Sequence, residues 1–239
     1  MNLTLIPQNQ IHMEWAIFLT MLIVAMALSK SPLGWPLKWA ETFYHELSHG
    51  LACILTGGRV RRIELNLNGS GVCTTQGGWR LPILLAGYTG AALWGGVLYC
   101  AGWYLGVTNG AHGATLWMKA ELAVLVIVAV LWVRDVTTLA ILTTIGSIYA
   151  ASIYAPASPW LPLLLQFIGL YVLLNAIRAP LFLIDGEHVG DGADLANLTL
   201  IIPEAAWIAL WYAIALATLA TCMIITLPGL APWLTRTLL

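Results

Sequence analysis

Charge is what this chain has least of: Asp, Glu, Lys and Arg make up 9% of its 239 residues, where a soluble domain carries about a quarter. So little charge excludes a water-covered globule. With 60% hydrophobic residues and a mean hydropathy of +0.85, lipid is the expected solvent for most of the chain. A net charge of -1 supplies no basic stripe or patch, which excludes nucleic acid as a partner. The four cysteines make no disulfide framework, since Cys53, Cys100 and Cys222 lie in apolar runs and Cys73 in a polar loop. Residues 1–11 contain no Lys or Arg, and no small-residue cleavage site follows the apolar run Trp15–Leu28. That run is therefore expected to be a first transmembrane helix and not a removable leader. No internal repeat or low-complexity linker divides the sequence, so residues 1–239 are read as a single polytopic membrane domain.

Long hydrophobic runs are what the sequence has in abundance. A bilayer core about 30 Å thick needs roughly 20 mostly apolar residues per helix. Trp15–Leu28, Trp39–Thr56, Leu81–Leu105, Lys119–Tyr154, Trp160–Ile184 and Glu204–Leu227 qualify. The fourth run holds Arg134–Asp135 near its middle, so it is one long tilted helix or two helices turning at that pair. The expected fold is an all-α membrane bundle of six or seven transmembrane helices. Between the second and third spans, Ile63–Leu67 alternates at the strand period, Asn68-Gly69-Ser70-Gly71 supplies a turn, and Val72–Thr75 returns. This reads as a short β-hairpin. The loop around it holds Arg59, Arg61, Arg62 and Arg80, against Lys30 and Lys38 in the preceding loop. The hairpin and the N-terminus are therefore expected on the cytoplasmic side. Gly87, Gly90, Gly95 and Gly96 suit close helix packing in the third span, and the tryptophans suit interfacial belts.

His45-Glu46-Leu47-Ser48-His49 is a complete H-E-x-x-H on a segment that otherwise reads as helix. Positions i and i+4 lie one above the other, so both imidazoles reach one ion, with Glu46 beside them as general base. Zinc lowers the pKa of a coordinated water to about 7, which makes hydroxide available at neutral pH. Five His and seven Glu in this length would produce the pattern by chance in roughly three chains per thousand. A buried charge in a bilayer costs a few kcal/mol, which disfavours an idle motif further. Zinc needs a third protein ligand, and the aspartates available are Asp135, Asp185, Asp191 and Asp194. Asp185 closes an apolar span in a Pro180…Asp185-Gly186 context that would break the helix and turn a carboxylate inward, and it is the expected ligand. Asp135 and Asp191 remain alternatives. Glu41, Thr42 and Ser48 stand near the motif, where they could line a water path to the metal or simply cap a short helix.

These residues resemble the site-2 protease class of intramembrane zinc metalloproteases (the M50 family), and more closely its M50B-like branch. The resemblance starts with His45-Glu-Leu-Ser-His49-Gly50 and Leu55-Thr-Gly57-Gly58-Arg59-Val60. It continues in Leu67-Asn-Gly69-Ser-Gly71 and Ala86-Gly87-Tyr88-Thr89-Gly90. Asp191-Gly-Ala193, Leu195-Ala196, Thr199, Pro203 and Trp207 resemble a further block. The wider class carries its third ligand in an Asn-x-x-Pro…Leu-Asp-Gly signature. Pro180, Asp185, Gly186 and His188 match it in spacing, whereas Ile184 replaces the Leu and Asn175 stands two residues early. The resemblance implies that His45, His49 and Asp185 hold Zn2+ with Glu46 as catalytic base. It also implies cleavage in or near a transmembrane segment of another membrane protein, in a bacterial-type inner membrane. A helical substrate hides its scissile carbonyl, and the hairpin could pair with it once unwound, by strand addition.

A second reading competes with the enzyme: a catalytically silent, protease-like scaffold assembled with partner membrane subunits. The displaced Asn175 and the absence of an appended regulatory domain suit it, but a scaffold has no need to keep Glu46. A transporter is weaker still, since no pair of broken helices recurs in two halves.

Overall fold

The computed structural model describes residues 8–184 and 189–227. Its helices are α1 (Gln8–Leu28), α2 (Trp35–Leu55), α3 (Arg80–Val107), α4 (Ala111–Trp132), α5 (Val136–Tyr154), α6 (Leu161–Arg178), α7 (Asp191–Thr199) and α8 (Glu204–Thr226). Strands β1 (Arg59–Leu65) and β2 (Gly71–Gln76) form a two-stranded antiparallel sheet between α2 and α3. The all-α membrane fold with its hairpin is as expected from the sequence.

Among the described residues, α3, α4, α5, α6 with its 3-10 extension, and α8 are each long and apolar enough to cross a bilayer. The count rises to six if α1 and α2 together make one broken span, since they are bent by 112°. The described residues thus give five or six spans, against the six or seven that the hydrophobic runs suggest. The long fourth run divides into α4 and α5, because the Asp135 carboxylate caps α5 by accepting a hydrogen bond from the Thr138 N–H at 2.8 Å. The first two runs, by contrast, form a pair bent by 112°, a broken span or a re-entrant loop. At their bend Ser31 caps a 3-10 turn over Pro32–Gly34, and Pro36 opens α2. A Cβ on Gly34 would lie 2.2 Å from the Leu28 carbonyl oxygen and 2.6 Å from the Tyr171 hydroxyl, so only glycine permits this approach.

The bundle is built on α3 and α6, whose backbones meet through glycine. A Cβ at Gly169 would sit 2.2 Å from the Tyr99 nitrogen, and one at Gly95 2.6 Å from the Leu173 nitrogen. Small residues of this kind allow helices to pack where lipid gives no hydrophobic drive. Gly96 faces Thr218 of α8, while Gly87 and Gly90 face α2. The hairpin is tied to the bundle by Ile63 and Leu65, both buried. Thr138 of α5 accepts a hydrogen bond from the Leu65 N–H at 2.9 Å, which closes that part of the outer edge of β1. α2 packs against the hairpin, where a Cβ on Gly50 would meet Val60, Cys73 and Ile63 and one on Gly71 would meet Glu46 and Thr42.

Candidate metal centre

The i, i+4 spacing on α2 does what helical geometry requires. His45 Nε2 and His49 Nε2 are 3.0 Å apart on one face. His49 Nδ1 lies 2.6 Å from the Ile83 carbonyl oxygen, which can only accept a hydrogen bond. Nδ1 therefore carries the proton, and Nε2 keeps its lone pair for a metal. α3 passes close behind the rings at Gly87, where a Cβ would fall 2.5 Å from His49 Nε2 and 2.6 Å from His45 Nε2.

The third group arrives from far along the chain. Gly190, at φ +106°, turns the backbone into α7, and Asp191 is the first residue of that helix. Its Oδ2 lies 3.2 Å from His45 Nε2 and 3.1 Å from His49 Nε2. A carboxylate in the first turn of a helix is favoured by the helix dipole. Burial acts to raise this carboxyl, but hydrogen bonds and charge from the two imidazoles outweigh it and hold it below the ordinary carboxylate range. Tetrahedral zinc with bonds of about 2.0–2.1 Å holds its ligand atoms roughly 3.3 Å apart. Three donor atoms separated by 3.0, 3.1 and 3.2 Å fit that demand, and two imidazoles with one carboxylate are a donor set zinc enzymes use.

Glu46 is 4% exposed and packs under β2, where a Cβ on Gly71 would stand 2.7 Å from its Cγ and Oε1. It shares a cavity of about 290 Å³ with the two histidines and Asp191, walled by Gly71, Val72, Cys73 and Thr75 of β2 and by Tyr88 of α3. Asp185, the ligand expected from the sequence, lies outside the described residues. Asp135 is committed to capping α5, and Asp194 pairs with Arg80 at the surface. His45, His49 and Asp191 are the His/Cys/Asp/Glu group among the described residues whose ligand atoms converge closely enough for a metal.

Of the polar residues near the motif, Ser48 bonds back to the Tyr44 carbonyl at 2.6 Å and Thr42 to Gly69 at 2.9 Å. Glu41 instead lines a second cavity, of about 500 Å³, together with Asn175, Arg178 and Tyr88. Asn175 donates to the Tyr171 carbonyl at 3.0 Å and does not line the metal cleft. Tyr88 and Gly87 carry no chemical signal in the sequence beyond the motif that contains them, and only the tertiary approach of α3 reveals their place. Trp211, read from the sequence with the belt tryptophans, is buried against Tyr88, with ring centroids 4.7 Å apart.

A family model described as Peptidase M50B-like matches residues 18–222. No curated protein and no solved structure matches the chain.

Proposed function

The chain belongs to the peptidase M50B-like family, and on that premise we propose that it is a zinc-dependent intramembrane endopeptidase acting on a transmembrane or juxtamembrane segment of another membrane protein. The observation that carries this reading is the convergence of His45, His49 and Asp191 to within 3.2 Å, with Glu46 in the same cavity. His45, His49 and Asp191 are the proposed metal ligands; Asp185, the ligand expected from the sequence, lies outside the described residues, and Asp191 is proposed in that role. Zinc held there would supply Lewis acidity and would lower the pKa of a water to about 7.

Glu46 takes the proton as the water oxygen bonds to the scissile carbonyl carbon and the carbonyl π pair moves onto oxygen. It then gives that proton to the amide nitrogen as the C–N bond breaks. One peptide and one water thus become a carboxylic acid and an amine. The substrate must be extended for its carbonyl to be reached. β2 lines the cleft and, among the described residues, has no strand partner but β1, which suits strand addition there, since Thr138 already occupies the edge of β1 at Leu65. The arginines at positions 59, 61, 62 and 80 favour a cytoplasmic hairpin. A bacterial-type inner membrane and one polytopic domain complete the proposal.

The test uses the whole protein in detergent or vesicles with candidate single-span substrates. Wild type is expected to cleave, and Glu46→Gln to lose at least about 10²-fold in kcat, as removal of a general base does, while keeping its zinc. Equal cleavage by the two proteins would contradict Glu46 as the base, and cleavage by neither would leave the scaffold reading in its place.

A further inference from the structure

Peptide hydrolysis places negative charge on the carbonyl oxygen when the carbon becomes tetrahedral, and a preorganised hydrogen-bond donor at that oxygen is worth about 10²–10³ in kcat. The ligands and base already described leave few side chains in the cleft to serve. Arg80 is paired with Asp194 and half-exposed, and the Cys73 thiol is a weak donor. Thr75 belongs to the strand proposed to pair with the substrate backbone.

Tyr88 is placed differently. Its ring meets the His45 imidazole edge-on, with centroids 4.4 Å apart and planes at 79°. Its other neighbour, Trp211, is 1% exposed and is itself fixed by an indole N–H donating to the Leu85 carbonyl at 3.2 Å. The tyrosine is thereby clamped between a metal-ligand ring and a buried indole, which removes the rotamer freedom a useful donor must lose beforehand. It lines both the metal cleft and the neighbouring polar cavity. Its hydroxyl has no hydrogen-bond partner among the described residues. A fixed phenol with an uncommitted O–H beside a metal-ligand ring is a donor in search of an acceptor.

We propose that Tyr88 is a further catalytic residue, its hydroxyl donating a hydrogen bond to the substrate oxygen that gains charge in the tetrahedral state. This rests on the protease reading above and assigns a role within it. Tyr88→Phe keeps the ring and its two aromatic contacts while removing only the donor. Wild type and Tyr88→Phe are compared in kcat, KM, zinc per chain, and affinity for a phosphonate peptide that mimics the tetrahedral state, the last read by titration calorimetry in detergent. The expected result is a fall of about 10² in kcat, with KM and zinc content unchanged, and a matching fall in phosphonate affinity. An active wild type equalled by Tyr88→Phe in kcat and phosphonate affinity overturns the assignment alone. Loss of zinc in Tyr88→Phe overturns it too, because the hydroxyl would then support His45 instead of substrate. A wild type that holds no zinc and cleaves nothing overturns the hydrolase reading together with this inference.

Discussion

Gly87 and Gly71 are positions where one methyl group separates the two halves of the site. A Cβ at Gly87 points at both imidazole Nε2 atoms, whereas a Cβ at Gly71 points at the Glu46 carboxylate. Gly87→Ala is therefore expected to push the histidines apart and weaken zinc binding by at least about 10-fold, a loss of the size seen when ligand orientation is disturbed. Gly71→Ala is expected to keep zinc and lose turnover. Metal analysis and cleavage assays on the same preparations check both, and equal zinc affinity in all three proteins would contradict the placement of α3 against the ligands. At this scale the sequence is legible where the chemistry is local. His45, Glu46 and His49 stand within two turns of one helix, so spacing alone puts them on one face. The third carboxylate comes from a distant segment, and nothing in the spacing of four aspartates says which one folds inward. Proline and glycine around Asp185 favoured that residue. What brings Asp191 to the histidines is the backbone turn at Gly190 and the start of α7, both tertiary facts.

At the scale of elements, α2 is fixed to the α4–α5 pair by a polar knot inside the bundle. The Tyr44 hydroxyl donates to Glu121 Oε2 at 3.0 Å and lies 2.7 Å from the Tyr149 hydroxyl, while the Trp117 indole donates to Glu121 Oε1 at 3.1 Å. Glu121 is 6% exposed and Tyr44 immediately precedes His45, so this carboxyl holds α2 to its neighbours. Glu121→Ala is expected to destabilise the protein by about 1–3 kcal/mol for each donor left unpaired, read as a lowered Tm in detergent. Glu121→Gln, which retains an acceptor, is expected to lose less. An unchanged Tm in Glu121→Ala would mean the knot contributes nothing. The sequence offered the α4–α5 break at Arg134–Asp135 as one of two readings, and the local cap by Asp135 decides between them. The sequence did not reveal that α1 and α2 form one bent pair, because that bend depends on Gly34 meeting Leu28 and Tyr171, the latter far along the chain.

For the whole molecule, scarcity of charge decides where it resides, and the few charges it keeps decide what it does. Apolar helices surround a cleft assembled from α2, β2, α3 and the start of α7, which brings together segments from the first and last thirds of the chain. The central claim is that this assembly closes on a single zinc ion through His45, His49 and Asp191. Zinc per chain in purified wild type, Asp191→Ala and Asp185→Ala, by mass spectrometry after chelator washing, tests it most directly. The expected result is one zinc in wild type and in Asp185→Ala, with none retained in Asp191→Ala. Zinc kept by Asp191→Ala and lost from Asp185→Ala would contradict the assignment of the third ligand, and no zinc in wild type would contradict the metal centre itself.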